Sequence, residues 1–253
     1  MRRKALILSM VCTLGFSMMF TGCGNKTNKK ANQSNSNVAN TTNETTDSQN
    51  GSNNQDSQTD DTADASADQT ESIEATRGTI EDGTYINNTF KISFPVTEDM
   101  TVFTDEQIAQ AVGMGTDMIK DNSTLTPQQM EEAMAGCVYD TMIVFSDGSS
   151  NVSVSYQNMD ITAKGVYLTA DQFIQAMKTQ IPTLTGTDYE FSDVTTVELG
   201  GQTYSKLVAK TSGLTQTYVA RQVDNYMVNI VVTCAEGNEQ LADDFLDSFV
   251  IVE

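Results

Sequence analysis

The chain has 253 residues, no histidine and a formal net charge of −20. Without histidine, Ser-His-Asp triads, Cys-His pairs and the usual His-bearing zinc sites are excluded. The charge is +3 over residues 1–23, −7 over 24–82 and −16 over 83–253. Because nucleic-acid binding depends on neutralising phosphates, we expect no nucleic-acid partner.

The N-terminus carries the marks of an export signal. Basic residues at positions 2–4 precede an apolar run over residues 5–20, and Thr21-Gly22 leads into Cys23. This arrangement resembles the signal of bacterial lipoproteins, which ends in Gly-Cys. The resemblance implies that residues 1–22 are removed and that Cys23 is lipidated. Two acyl chains hold a protein firmly on a membrane, so we expect a lipid anchor on the extracytoplasmic face of the cell membrane.

An uncleaved membrane anchor and an ordinary secreted product are the alternatives for this segment. The apolar run has 16 residues and contains Ser9, Thr13 and Ser17. It is shorter than the ~20 residues that span a bilayer, and no basic stop-transfer cluster follows it directly. These features favour lipid anchoring at Cys23.

Residues 23–82 are predicted to form the lipidated cysteine and a disordered tether. The stretch is rich in Asn, Ser, Thr and Asp and has neither aromatic residues nor proline. Its only large aliphatic residues are Val38, Ile73 and Ile80. Such a composition buries too little apolar surface to offset the entropy of ordering.

Residues 83–253 are predicted to form a single α+β domain. Residues 90–94 alternate as a strand that ends at Pro95. Three pairs of predicted strands flank turn sequences: 139–145 and 152–156 around Asp147-Gly148, 194–199 and 203–210 around Gly200-Gly201, and 215–223 and 226–234 around Asp224-Asn225. Hairpins imply an antiparallel sheet, because parallel strands need long crossovers.

Helices are predicted between these strands. Thr104–Gln107 and Thr169–Gln172 fit capping boxes, and Thr126-Pro127 fits an N-cap followed by proline. Gly113 and Gly115 predict that the helix after Thr104 bends or ends there. Apolar residues at helical spacing indicate one helix after Thr169 and another near the C-terminus: Phe173, Ile174, Met177 and Ile181, then Leu241, Phe245 and Phe249.

The domain contains two cysteines, Cys137 and Cys234. An extracytoplasmic compartment permits a disulfide between them. Each cysteine adjoins an apolar strand, however, and a disulfide requires Cα atoms about 4.4–6.8 Å apart. A Cys137–Cys234 disulfide and two separate buried thiols therefore stay as alternatives.

Catalytic motifs are missing from the sequence. There is no Gly-x-Ser-x-Gly, Ser-x-x-Lys, Walker A or Gly-x-Gly-x-x-Gly pattern. We therefore predict no catalytic residue, no cofactor or metal ligand, no cofactor and no enzymatic activity. A hydrolase with two carboxylates about 5–9.5 Å apart is the catalytic alternative. Its candidates are the sequence pairs Glu98 and Asp99, Glu131 and Glu132, Asp188 and Glu190, and Asp243 and Asp244.

Five tyrosines lie on or beside predicted strands: Tyr139, Tyr156, Tyr204, Tyr218 and Tyr226. Two interpretations are open. The tyrosines line an exposed sheet face that binds a ligand or partner, or they are half-buried residues of the sheet.

The order of strand, capped helices, hairpin, helix and meander resembles a domain of uncharacterised lipoproteins from Gram-positive bacteria. Those domains are similar to the PsbP-type fold. The resemblance implies an antiparallel meandering sheet with helices packed on it, and it transfers no catalytic residue. The resembling segments are Tyr85 to Pro95, Tyr139 to Tyr156, Gly200 to Lys210 and Tyr218 to Thr233. Relatives often carry Gly-Trp after the early proline, where this chain has Val96-Thr97.

These observations predict a non-enzymatic binding or interaction module of the cell envelope, anchored by lipid, that presents a sheet surface to an unknown protein or small-molecule partner. A carboxylate-based hydrolase is one alternative. A small solute-binding protein is another, although 171 residues with one meandering sheet are few for a receptor built from two lobes.

Overall fold

The computed structural model describes residues 73–163, 166–211 and 213–252. Cys23, the signal and nearly all of the tether lie outside these residues, so the interpretations made for them stay predictions. Within the described ranges, no helix combines the length and the apolar character that a membrane crossing requires.

Two antiparallel sheets form the framework of the domain. Their strands are β1 (Thr79–Glu81), β2 (Thr84–Asn87), β3 (Ile92–Pro95), β4 (Thr101–Val102), β5 (Cys137–Val144), β6 (Asn151–Asn158), β7 (Glu190–Phe191), β8 (Thr195–Leu199), β9 (Gln202–Thr211), β10 (Leu214–Val223) and β11 (Tyr226–Ala235). The small sheet has the order β1-β2-β3. The central sheet has the order β4-β5-β6-β11-β10-β9-β7, and β8 also pairs with β9. One edge is therefore the two-residue strand β4, and the other is divided between β7 and β8.

Helices follow several of the strands. They are α1 (Asp105–Asn122), α2 (Pro127–Ala135), α3 (Met159–Thr162), α4 (Ala170–Thr185) and α5 (Glu239–Asp247). Capping boxes begin α1, α2 and α4 at Thr104, Thr126 and Thr169. The boxes predicted at Thr104 and Thr169 are confirmed, as is the cap at Thr126. The side chain of Gln129 accepts a hydrogen bond from the backbone N–H of Thr126 and so completes a capping box there, which was not predicted.

Helix α1 corrects one part of a prediction, namely that the helix ends at its glycines. Gly113 and Gly115 predicted a bend or an end, because each glycine costs about 1 kcal/mol relative to alanine in a helix. The helix instead continues to Asn122. The capping box at its start and the burial of Ile108 and Ile119 along its inner face account for its continuation.

The central sheet is covered on both faces. On one face, α4 packs on β9 and β10, while α1 packs on β5 and beside α4. On the other face, the small sheet and α5 contribute to one apolar cluster with the sheet. The rings of Phe90 and Tyr156 lie 4.7 Å apart between centroids, and those of Phe94 and Phe245 lie 5.0 Å apart. The predicted α+β class, with an antiparallel meandering sheet and helices packed on it, is confirmed.

This layering corrects the idea that the sheet presents a tyrosine-lined face. Tyr156, Tyr204 and Tyr218 are at most 2% exposed, and Tyr139 and Tyr226 are partly buried. The physical reason is that the central strands have a covering layer on each side. Neither face of these strands is therefore open for a partner to bind.

The folded domain begins before Gly83, which corrects the predicted end of the tether. Strand β1 pairs with β2, and the hydroxyl groups of Thr76 and Thr89 lie 2.7 Å apart. Arg77 binds Asp105, with 2.7 Å between the guanidinium and the carboxylate. These residues join the domain through hydrogen bonds and an ion pair, which an argument from apolar composition does not detect.

A buried carboxylate joins this N-terminal segment to the central sheet. Asp140 lies where the pairing of β5 with β6 shifts register, and its side chain is fully buried. Its Oδ1 accepts from the backbone N–H of Gly78 at 2.8 Å. Its Oδ2 accepts from the hydroxyl of Tyr85 at 2.5 Å and from the amide of Asn87 at 2.7 Å. The guanidinium of Arg77 donates to the Asp140 carbonyl at 2.8 Å.

Cys137 and Cys234 are not joined to each other by a disulfide. The Cys137 Sγ donates to the carbonyl of Ala133 in α2 at 3.1 Å, on the helix-facing side of the sheet. Cys234 belongs to the apolar cluster on the opposite side, where burial raises the pKa of its thiol. Because the sheet lies between them, the structure favours separate thiols over the disulfide.

Candidate binding cleft

A cleft of about 640 Å³ opens at one end of the central sheet. Its walls come from three connections: the segment between α4 and β7, the turn between β9 and β10, and the segment between β11 and α5. The lining residues are Thr187, Asp188, Tyr189, Glu190, Lys210, Thr211, Leu214, Thr215, Glu236 and Glu239. The hairpin pairing and the short strand β7 bring these distant segments together.

The cleft is strongly acidic. Asp188, Glu190, Glu236 and Glu239 line it together with one base, Lys210. Four negative charges against one positive charge leave a formal charge of −3. Lys210 is placed by the pairing of β7 with β9, in which it lies opposite Glu190. A concave site dominated by one sign of charge raises the local concentration of ligands of the other sign.

Glu239, the first residue of α5, is fixed by several donors. A hydrogen bond from its own backbone N–H lowers the pKa of Glu239. Burial opposes this shift, and the charge of Lys210 supports it. The backbone N–H of Gly237 donates to Oε2 at 3.1 Å, and the hydroxyl of Thr215 donates to Oε1 at 3.4 Å. Glu239 is therefore an ionised and oriented acceptor at neutral pH.

Tyr189 contributes an aromatic wall. Its ring stacks on Phe191, with centroids 5.8 Å apart and planes at 23°. Burial raises the pKa of the Tyr189 hydroxyl to about 12, so the phenol is neutral at physiological pH. A neutral aromatic ring beside carboxylates can contact the alkyl chain of a cation or attract its charge.

The arrangement suits an organic cation better than a bound metal ion. In the part of the chain that the structure describes, no three His, Cys, Asp or Glu side chains are grouped as a metal site. Carboxylates spread around the cleft can instead pair with separate amino or guanidinium groups, which form charge-assisted hydrogen bonds.

The structure brings together some of the carboxylates that the sequence singled out. Asp188 and Glu190 share the acidic cleft. Asp99 and Asp244, which come from two different sequence pairs, line a second pocket of about 290 Å³. A hydrogen bond from the hydroxyl of Thr97 lowers the pKa of Asp99. That direction is opposite to the raised pKa that a general acid requires near neutral pH.

The remaining members of these pairs have other surroundings. Glu131 is exposed on α2, and Glu132 accepts a hydrogen bond from Gln128 at 3.2 Å. Asp243 lies 3.0 Å from the Nζ of Lys206. Glu98 is exposed.

Sequence reasoning missed Lys210, Glu236 and Glu239 as cleft residues. They lie at the end of β9, in the segment after β11 and at the start of α5, which are distant along the chain from Asp188 and Glu190, and only the sheet topology makes them neighbours. The available signal was the position of acidic residues directly after a predicted strand, because such connections gather at one end of an antiparallel sheet.

The sequence matches no protein-family model and no curated protein. Among solved structures, it is similar to the PsbP protein (CyanoP) of Synechocystis sp. PCC 6803, with 14% identity and a TM-score of 0.41 over 67% of this chain and 91% of that chain. It is also similar to LpqN, described as involved in cell envelope biogenesis of Mycobacterium tuberculosis. That similarity has 12% identity and a TM-score of 0.36, over 64% of this chain and 83% of LpqN. Neither similarity assigns a role to a residue.

Proposed function

We propose that this protein is a non-enzymatic binding module of the cell envelope, held at the membrane by lipid on Cys23, and that its acidic cleft binds a basic segment of a protein partner. The observation that carries the proposal is the cleft of about 640 Å³, lined by four carboxylates and one lysine. A formal charge of −16 over residues 83–253 argues against a nucleic-acid partner, since phosphates would be repelled.

The choice of a basic peptide follows from the exposure and spacing of the carboxylates. Asp188, Glu190 and Glu236 are exposed, and Glu239 is partly exposed and oriented by hydrogen bonds. Lysine or arginine side chains can reach these groups while staying partly hydrated, so little desolvation opposes binding. The ring of Tyr189 can contact the alkyl part of such a side chain.

A binding assay on the full-length protein in detergent micelles tests the cleft. Fluorescently labelled hexalysine serves as the probe, and its anisotropy is followed at low and at high salt. We expect binding that weakens with salt, because exposed charges are screened. The double variant Glu190→Gln/Glu236→Gln should bind roughly tenfold more weakly, and Lys210→Gln should bind more tightly.

The matched control is Glu81→Gln/Glu98→Gln, which removes two exposed negative charges outside the cleft. It should leave the affinity for hexalysine nearly unchanged. Equal weakening in both double variants would attribute binding to the overall charge and would refute the cleft. Spermine binding as tightly as hexalysine would identify a small polyamine as the ligand instead.

The anchor has its own test. Cys23→Ala should abolish lipid labelling and shift the protein out of the membrane fraction, whereas Cys12→Ala, in the predicted signal, should do neither. Unchanged labelling and fractionation of Cys23→Ala would contradict lipid attachment at this residue.

A further inference from the structure

The second pocket, of about 290 Å³, lies where three segments of the chain meet. They are the connection between β3 and β4, the connection between β5 and β6, and helix α5. The backbone N–H of Met100 donates to the carbonyl of Thr97 at 3.0 Å, which closes the first connection into a turn. The pocket shares no lining residue with the acidic cleft, so it is a separate site.

The apolar residues that line this pocket are mainly aromatic. Phe145 and Phe245 are 5% and 4% exposed, and their ring centroids lie 5.4 Å apart with planes at 70°. Met100 and Leu241 are half-buried, line the same pocket and pack on the same apolar cluster. Phenylalanine rings and methionine sulfur both form favourable contacts with a further aromatic ring. The pocket therefore suits an aromatic group.

Two carboxylates line the same pocket. Asp99 and Asp244 are both exposed, and no basic residue is among the described residues that line it, so its formal charge is −2. The hydroxyl of Thr97 donates to Asp99 and lowers the pKa of that carboxyl. The side-chain amide of Gln240 donates to Asp244 at 2.9 Å. Aromatic surface beside negative charge complements an aromatic group that has positive charges next to it.

The volume of the pocket fits one side chain. An apolar cavity of about 150 Å³ accepts benzene, and pockets for complete drug-sized ligands begin at about 300 Å³. At about 290 Å³, the second pocket can hold one aromatic ring and the methylene group that carries it. The charged groups of such a ligand then stay outside, in water. An aromatic residue with basic neighbours on a protein backbone has this form, and aromatic anchors in pockets dominate many protein interfaces.

The occupant has to come from a different protein. Residues 24–72 of this chain contain no aromatic residue, so the tether cannot supply the ring. Residues 1–22 are predicted to be removed. A second copy of the domain is disfavoured by charge, because residues 83–253 carry a formal charge of −16 and two such bodies repel each other. Charge complementarity therefore selects a basic partner.

We propose that the second pocket binds the aromatic side chain of a protein segment in which lysine or arginine residues flank the aromatic residue. The ring packs against Phe145, Phe245 and Met100. The flanking cations pair with Asp99 and Asp244, which stay hydrated and so lose little solvation. This inference stands without the function proposed for the acidic cleft, because the two sites have no residue in common.

The test follows the methyl group of Met100 by NMR in the full-length protein, labelled at its methionine methyl groups and held in phosphatidylcholine nanodiscs. Met100→Leu assigns the resonance. The probe is the capped tripeptide Lys-Phe-Lys, compared with Lys-Ala-Lys, which has the same charge, and Glu-Phe-Glu, which has the same ring. We expect Lys-Phe-Lys to shift the Met100 resonance and to bind roughly tenfold more tightly than either comparison peptide. The resonance of Met177, buried in another apolar cluster, should not move.

Two double variants locate the charges that the peptide contacts. Asp99→Asn/Asp244→Asn should weaken the binding of Lys-Phe-Lys roughly tenfold. Glu190→Gln/Glu236→Gln removes the same number of charges from the acidic cleft and should leave this binding nearly unchanged. Equal weakening in both variants would attribute binding to the overall charge and would overturn the proposal. Because the second variant is the one that tests hexalysine binding, either site can fail without the other.

Three results with the wild type would also overturn the proposal, and none of them depends on the folding of a variant. The first is an unchanged Met100 resonance at saturating Lys-Phe-Lys. The second is equal affinity for Lys-Phe-Lys and Lys-Ala-Lys, which would show that the ring contributes nothing. The third is phenethylammonium binding as tightly as Lys-Phe-Lys, which would identify the ligand as a small aromatic amine.

Discussion

The two faces of the central sheet bury polar groups in different ways. On the face toward the small sheet, the carboxylate of Asp140 accepts hydrogen bonds from Gly78, Tyr85 and Asn87. On the helix-facing side, neither amide atom of Gln157 has a partner among the described residues. Burial alone therefore does not tell whether a polar group stabilises the fold. A buried polar group with several hydrogen-bond partners stabilises the fold, and one without partners destabilises it.

The same contrast holds for two buried tyrosines. Tyr85 and Tyr204 are each 1% exposed. The hydroxyl of Tyr85 donates to Asp140, whereas the hydroxyl of Tyr204 has no partner in the described part of the chain. Substitutions at matched positions can therefore measure what the partners contribute.

The largest effect is expected from Asp140→Ala. It removes the shared acceptor and leaves buried donors without a partner, so the free energy of unfolding should fall by about 3–5 kcal/mol. Urea unfolding followed by circular dichroism measures the change. Asp105→Ala is the control, because its side chain is 81% exposed and bonds the same Arg77. It should lose only about 0.2–1 kcal/mol. Similar losses of unfolding free energy in both variants would show that the buried carboxylate of Asp140 stabilises the fold no more than an exposed one.

Tyr85→Phe should have a smaller effect. The phenylalanine ring can keep the stack on Phe94, whose centroid lies 4.7 Å from that of Tyr85, so the substitution isolates the hydroxyl. Losing this donor to a buried carboxylate should lower the free energy of unfolding by about 1–3 kcal/mol. An unchanged urea midpoint would mean that the other donors satisfy Asp140 without Tyr85.

Asp147 is a further carboxylate with several hydrogen-bond donors, and its contribution to stability depends on pH. Burial opposes ionisation of this turn residue, but hydrogen bonds from the side chains and backbone of Ser150 and Ser149 lower its pKa to about 2. The ordinary value is 3.8. Its folded pKa is depressed, so its stabilising effect is complete above about pH 4 and is lost as the pH falls through about 2.

Wild type should therefore lose more stability than Asp147→Asn when the pH falls from about 5 to about 2. Urea midpoints measured at a series of pH values test this expectation. Asp99 and Asp160 also have lowered pKa values, through hydrogen bonds from Thr97 and Tyr167 respectively. The contribution of Asp147 is therefore given by the difference between the urea midpoints of the variant and the wild type at each pH. If the two midpoints fall in parallel as the pH is lowered, the ionised Asp147 side chain does not stabilise the fold.

Tyr204→Phe should have the smallest effect. Removing an unpartnered hydroxyl should change the free energy of unfolding by less than about 0.5 kcal/mol, or raise it slightly. The guanidinium of Arg221 lies 5.1 Å from the ring centroid, and a phenylalanine ring retains most of this attraction. A destabilisation as large as that of Tyr85→Phe would show that the hydroxyl has a partner after all.

Features set by neighbouring residues were predictable from the sequence. The hairpin strands were found because alternating residues flank turn sequences such as Asp224-Asn225, and the helix starts because Thr104 and Thr169 precede glutamine at capping-box spacing. The first residues of the domain were missed. Strand β1 has three exposed residues, and Arg77 joins through polar contacts that apolar patterning does not register.

The sites depend on contacts between distant segments, which the sequence did not reveal. Glu190 and Lys210 become neighbours only through the register of β7 with β9. The alternation of β6 predicted the strand correctly, but a polar face such as that of Ser155 and Gln157 is ordinarily solvent-facing. Its burial depends on how the helices pack on the sheet, which local patterning does not determine.

The short edges of the central sheet limit association between neighbouring molecules of this protein. Strand β4 has two residues, and the opposite edge is split between β7 and β8. An edge strand templates the addition of another chain through its row of outward backbone groups, and short or interrupted edges offer few of them. If many molecules of this protein were concentrated on one membrane surface, their central sheets would therefore have few edge groups through which to pair and form fibrils.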